Sequence, residues 1–186
     1  MRLGIELGRI LYYMSNPSVA PLVVAEVGVR RGKHAVQLME NLHVCQGYFI
    51  DPYEPYQDIG KLWTQEEQDL VYAEAQFNLK GYPRAELLRM RSVDAAAKFK
   101  EEGIKFDLVY IDSDHDKVLE DLNAWYPLVS PLGVIVGHDW WHTPIRAALE
   151  KFLEPLEEEL KTGRLMYMSS RIGLDYEFVI KKNIQQ

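Results

Sequence analysis

The sequence predicts an α/β domain, doubly wound around a mostly parallel seven-stranded sheet that ends in an antiparallel hairpin. Three observations predict it. Short apolar runs alternate with segments of helical spacing, the pattern of strand–helix units and a parallel sheet. The first of these runs leads into a pair of glycines, Gly28 and Gly32. Near the end, residues 164–168 and 177–180 read as strands joined by a short polar loop with Gly173 and no helix, so they pair antiparallel.

The elements follow in order. Leu3, Leu7, Ile10 and Leu11 sit at helical spacing in a segment over residues 1–16, and Asn16-Pro17 stops it. Residues 22–25 form a short β-branched run that reads as a buried strand. Gly32 opens a helix over residues 34–41 with Val36, Leu38 and Met39 inward. Residues 47–51 give a second strand that ends in the carboxylate of Asp51. Residues 52–63 read as a loop whose Tyr53, Tyr56 and Trp63 either cover a ligand or pack on the surface. Thr64 and Glu67 form a capping box, and Gly81 closes the helix that they start. Residues 86–90 are a third strand, and Ser92 caps a helix that runs through Phe99. Residues 106–111 are a strongly apolar fourth strand, followed by a helix with Val118, Leu119 and Leu122. Pro131-Leu-Gly133 turns into a fifth strand over residues 134–136. Pro144 suits the first turn of a last helix, which Pro155 bends or restarts.

Composition bounds the reading. A chain of 186 residues with 47% hydrophobic residues supports one domain, residues 1–186, with its core over residues 20–182. Lys and Arg number 21 against 28 Asp and Glu, a formal net charge of −7. That balance argues against a general nucleic-acid or membrane-surface binder, because phosphate contacts need clustered cations. A single cysteine, Cys45, excludes an internal disulfide and fits a reducing cytoplasm. The opening residues are too broken by charge and glycine for a signal peptide, and no apolar run approaches the ~20 residues that span a bilayer.

The glycine pair lies in Glu26-Val-Gly28-Val-Arg30-Arg-Gly32. Gly28 permits a tight turn and a close backbone approach, and Gly32 lets the next helix begin near the strand. Asp51 ends the second strand, where a carboxylate accepts both hydroxyls of a ribose. A dinucleotide fingerprint needs glycine at the place of Arg30, so close passage of a pyrophosphate is disfavoured. S-adenosylmethionine (SAM) has no phosphate and carries a cationic sulfonium and amine. An acidic rim of Glu26, Asp51 and Asp112 suits it.

AEVGVRRG followed by YFIDPY resembles motifs I and II of class I SAM-dependent methyltransferases. FDLVYIDSDHDKVLEDLNAWYPLVSPLGVIVGHDWW is similar to the branch of macrolide-sugar and other natural-product O-methyltransferases and cephalosporin-biosynthesis relatives. The resemblance covers about residues 20–180, with Leu132-Gly133 where many relatives carry two glycines. It implies a Rossmann-like fold and transfer of a methyl group from SAM. It also implies that Glu26, Gly28 and Gly32 surround the amino-acid part of the cofactor and that Asp51 holds the ribose. Ser92, with Arg91 beside it, then lies near the adenine, and Arg30 and Asp112 complete the cofactor-binding set.

Asp112, Asp114, His115 and Asp116 follow the fourth strand; His138, Asp139 and His142 follow the fifth. Parallel neighbours lie ~4.8 Å apart, so the two groups are expected to converge at one cleft. Two roles are open. Asp112, His138 and Asp139 suit a divalent metal, Mg²⁺ or one that accepts imidazole more readily, such as Mn²⁺, Fe²⁺ or Zn²⁺. Alternatively, His115 or Asp114 removes the acceptor's proton as general base, and His142 lines a substrate pocket beside Trp140 and Trp141.

The expected activity is O-methylation of a small-molecule acceptor. Only about 20 residues precede the first strand, which implies either a more open acceptor site or cover lent by a second subunit in a homodimer. The rival readings are a non-catalytic SAM-binding or assembly protein and, less favoured, an NAD-dependent oxidoreductase or epimerase.

Overall fold

The computed structural model describes residues 20–58, 60–172 and 175–183. The helix expected over residues 1–16 and the loop at Gly173 lie outside the described residues. In chain order the elements are β1 (Leu22–Val27), α1 (Lys33–Asn41), β2 (Val44–Asp51), β3 (Tyr56–Asp58) and β4 (Lys61–Trp63). They continue with α2 (Gln65–Leu79), β5 (Ala85–Arg89), α3 (Ser92–Glu101), β6 (Phe106–Ile111) and α4 (Val118–Trp125). The last are β7 (Val129–His138), α5 (Thr143–Leu153), α6 (Glu157–Lys161), β8 (Leu165–Ile172) and β9 (Asp175–Lys182).

The main sheet has seven strands in the order β5-β2-β1-β6-β7-β9-β8. The first five pair in parallel, and β9 runs antiparallel to both β7 and β8. This is the Rossmann-like arrangement with a terminal antiparallel hairpin. Strand β1 has β2 on one side and β6 on the other, so the order reverses there and opens a crevice at the C-terminal strand ends.

Alternating side chains build two cores. On one face Val24, Phe49, Leu108 and Val136 meet Ala35 and Leu38 of α1 and Leu79 of α2. On the other, Val109 and Ile135 meet Phe99 of α3, Leu122 and Trp125 of α4 and Phe152 of α5. Phe99, Phe106 and Trp125 pack edge to face or tilted at 5.2–5.9 Å between ring centroids. Each fully buried aromatic or leucine of this kind contributes about 1.5–3 kcal/mol through lost apolar contact with water.

Several expectations change. Residues 52–63 are more than a loop: β3 and β4 form a separate antiparallel hairpin. Gly60, at φ 72°, supplies its left-handed turn, and Tyr56 stacks on Trp63 across the strands. Tyr53 belongs to the core, not to a cover, with its ring packed on Tyr72. Ser92 does not cap α3; Arg91 stands at the N-cap, and the Ser92 hydroxyl accepts the indole N–H of Trp125 at 2.8 Å. The capping box at Thr64 is present, and α2 ends at Leu79 with Lys80, not Gly81, as C-cap. Among the described residues, no helix is long and apolar enough to cross a membrane.

Candidate active site

Beyond β1 the chain turns sharply through Gly28, at φ 91°. A Cβ there would lie 2.1 Å from the backbone oxygen of Asp112, so the glycine is required by the neighbouring strand end as well as by any ligand. Gly32, at φ 73°, is the N-cap of α1, and its Cα faces Ala75 of α2 at a distance that leaves little room for a side chain.

Asp51 stitches two loops together. Its Oδ2 accepts the backbone N–H of Arg30 and its Oδ1 that of Tyr53, both at 2.9 Å. The Tyr53 hydroxyl returns a hydrogen bond to the Arg30 carbonyl at 2.9 Å. The carboxylate keeps acceptor capacity for a ligand hydroxyl beyond its backbone partners. Burial raises the Asp51 carboxyl above its ordinary range, and the backbone N–H groups of Arg30, Tyr53 and Val29 oppose that rise.

Glu26 lies on the same face of β1 as Val24 and is buried under α1. Its Oε1 meets Nδ1 of His34 at 3.1 Å, and its Oε2 is buried with no hydrogen-bond partner. Burial pushes this carboxyl up, against the hydrogen bond and charge of His34. In the sequence His34 stands out only as the start of a helix. Its position eight residues beyond Glu26, in the first turn of the helix that the glycine loop opens, was the available signal.

The second half of the crevice lies past β6 and β7. Ligand atoms of Asp112, His138 and Asp139 all fall within 4.8 Å of one another. The Asp139 carboxylate is the centre of this group: Oδ1 faces His138 Nδ1 at 3.1 Å and accepts the Trp141 indole N–H at 3.2 Å, while Oδ2 faces His115 Nε2 at 3.3 Å. His115 packs on His142 with ring centroids 4.6 Å apart, and the buried Nδ1 of His142 finds no partner. Asp112 opens to solvent but is hemmed in by protein. Desolvation raises its carboxyl, His138 opposes the rise and Asp139 adds to it.

The structure thus joins Asp112, His115, His138, Asp139 and His142. It leaves Asp114 apart: that exposed carboxylate accepts the backbone N–H of Asp116 at 3.1 Å and closes the local turn. Arg91 is exposed at the start of α3, and the Ser92 hydroxyl is occupied by Trp125. A residue that the motifs did not reveal is Glu177, buried on β9 in register with His138.

Among the described residues, four that are not glycine have positive φ, and three stand just past strand ends in this crevice: Arg30, Tyr53 and Asp139. Such conformations cost about 1–3 kcal/mol each and persist where the surroundings enforce them.

A family model described as a methyltransferase domain matches residues 25–140. No curated protein matches the sequence significantly. Solved structures with a similar fold include an O-methyltransferase from Bacillus cereus in complex with SAH, with TM-score 0.69 and 15% identity over 98% of this chain and 83% of that one. An rRNA methylase from Streptococcus thermophilus has TM-score 0.69 and 11% identity over 99% of each chain. A ribosomal protein L11 methylase from Lactobacillus delbrueckii subsp. bulgaricus has TM-score 0.56 and 16% identity over 98% of this chain and 81% of that one.

Proposed function

The chain belongs to the methyltransferase-domain family, as a class I SAM-dependent methyltransferase, and on that premise we propose that it methylates a hydroxyl group of a small molecule with help from a divalent cation. One observation carries this reading: the donor atoms of Asp112, His138 and Asp139 converge within 4.8 Å beyond β6 and β7, one strand away from the Glu26–Gly32 loop. Two carboxylates and one imidazole are a fitting donor set for Mn²⁺, Fe²⁺ or Zn²⁺, with Mg²⁺ less favoured by the imidazole. A bound cation would stabilise the acceptor's oxyanion and so lower the pKa of its hydroxyl.

SAM, when bound, supplies a methyl carbon activated by the sulfonium. Glu26, Gly28, Arg30, Gly32, Asp51, Arg91, Ser92 and Asp112 are the residues that would hold it, with Ser92 opening α3 and Arg91 as its N-cap. The unpartnered Glu26 Oε2 fits the cofactor's ammonium, and the remaining acceptor capacity of Asp51 fits its ribose. His115, backed by Asp139, takes the proton of the acceptor hydroxyl; Asp114, turned into its own loop, is the weaker candidate. Alignment of the acceptor oxygen behind the methyl carbon supplies most of the remaining rate.

The similar structures also include methylases of rRNA and of a ribosomal protein. A formal net charge of −7 favours a small acceptor over RNA. The single Cys45 fits a cytoplasmic setting, its thiol directed at the carbonyls of Pro21 and Leu22.

The experiment is SAH release with a panel of sugar, phenol, hydroxy-acid and RNA acceptors, with and without EDTA. Turnover of a small hydroxyl acceptor that stops with chelator and returns with Mn²⁺ is the expected result. SAM binding with no turnover on any acceptor would favour a non-catalytic binding protein instead.

A further inference from the structure

The crevice holds a buried pair of which only Glu26 has so far been given a role. His34 Nδ1 lies 3.1 Å from Glu26 Oε1, with side-chain exposures of 14% and 2%. The His34 ring is held from the other side by Tyr110, with centroids 4.2 Å apart. A carboxylate next to a glycine turn is free to rotate unless something fixes it. Here one oxygen is fixed by the imidazole, and the other, Oε2, is left buried and without a partner. A buried acceptor in that state calls for a donor that arrives with a ligand. Asp51, Asp112 and Glu177 surround the pair with further negative charge, so the donor that fits is a cation.

We propose that His34 is a positioning residue for the amino-acid end of the cofactor: it fixes the Glu26 carboxylate so that Oε2 receives the α-ammonium of SAM or SAH. The inference rests on the SAM-dependent reading above and adds a residue to it. His34 does not touch the reacting atoms. Its effect is selective, because the adenosine part of the cofactor lies toward Asp51 and does not depend on how Glu26 is turned.

That selectivity is the test. Isothermal titration compares SAH with 5′-methylthioadenosine, the same thioether nucleoside without the amino-acid chain. His34→Phe keeps a ring against Tyr110 and removes the donor. It is expected to weaken SAH about 10- to 100-fold, the range for a lost hydrogen bond to a charged group, and to change 5′-methylthioadenosine less than about 3-fold. His34→Asn, whose amide nitrogen falls near the place of Nδ1, is expected to restore SAH to within about 5-fold of wild type. Glu26→Gln is expected to reproduce the selective loss, and it serves if His34→Phe fails to fold by circular dichroism. Equal weakening of both ligands, or unchanged SAH affinity in His34→Phe, overturns the proposal. If the wild-type protein binds neither ligand, the SAM-dependent reading itself falls, and the positioning role with it.

Discussion

Asp139 combines three properties in one residue: a left-handed backbone at φ 57°, a carboxylate shared by two histidines, and an indole N–H on one of its oxygens. A left-handed aspartate is tolerated better than a β-branched residue, yet it still costs about 1–3 kcal/mol. Removing the carboxylate leaves His138 and His115 without their common partner. Asp139→Ala is therefore expected to abolish Mn²⁺ binding in calorimetry and to lower turnover at least about 100-fold, with little loss of SAH affinity. Retained Mn²⁺ binding in this variant would count against the metal group. His138 sets the metal preference. His138→Asp replaces nitrogen by oxygen and is expected to move the Mg²⁺-to-Mn²⁺ preference by about 10-fold toward Mg²⁺, read from titrations of chelator-stripped protein.

At the scale of the element, the turn from β1 into α1 is the most constrained. Gly28→Ala adds a Cβ 2.1 Å from the Asp112 backbone oxygen at a φ that L residues rarely adopt. The two strand ends must then part, so the variant is expected to lower Tm by at least about 5 °C and to lose SAH binding. Thr64→Ala is the contrasting case. It removes the α2 capping box at a cost of about 0.5–2 kcal/mol, and SAH affinity is expected to stay at the wild-type value. The same scale explains what was legible in the sequence. Apolar period, β-branched runs and the cap at Thr64 mark β1, β6, α2 and the terminal hairpin, because one local rule decides each of them. The convergence of Asp112 with His138 and Asp139 was also legible, since adjacent parallel strands end side by side. What could not be read depends on partners distant in sequence. Trp125, 33 residues away, takes the Ser92 hydroxyl from its capping role, and Tyr72 draws Tyr53 into the core. Leu132 departs from the two-glycine pattern and occupies φ 69° with its side chain exposed.

At the scale of the whole molecule, the crevice gives the protein a definite pH dependence of stability. Glu26, Asp51, Asp112 and Asp121 all have carboxyls raised by burial, and the first three surround the crevice. His34 is also raised: burial alone would lower it, but the hydrogen bond and charge of Glu26, with Asp112 and Glu177 behind them, prevail. For every one of these groups the folded state binds the proton more tightly than the unfolded chain, so stability falls as pH rises. The contribution of His34 is complete below its ordinary value of 6.5 and is lost as pH passes its higher folded value. The carboxyls contribute in the same direction, fully below their ordinary range and less as pH climbs through their raised values. Glu67 and Asp69 act oppositely, held low by Lys61 and Arg89, but they lie at the surface, act only in acid, and are screened by salt. A formal net charge of −7 adds self-repulsion that also eases as carboxylates and histidines take up protons. Apo protein at constant ionic strength is therefore expected to melt at least about 2 °C higher at pH 6 than at pH 8, since 1 kcal/mol moves Tm by about 2–4 °C in a chain of this size. His34→Phe removes one of the groups whose protonation favours the folded state and is expected to flatten the profile. A wild-type Tm that is level or rising between pH 6 and pH 8 would overturn this pH dependence.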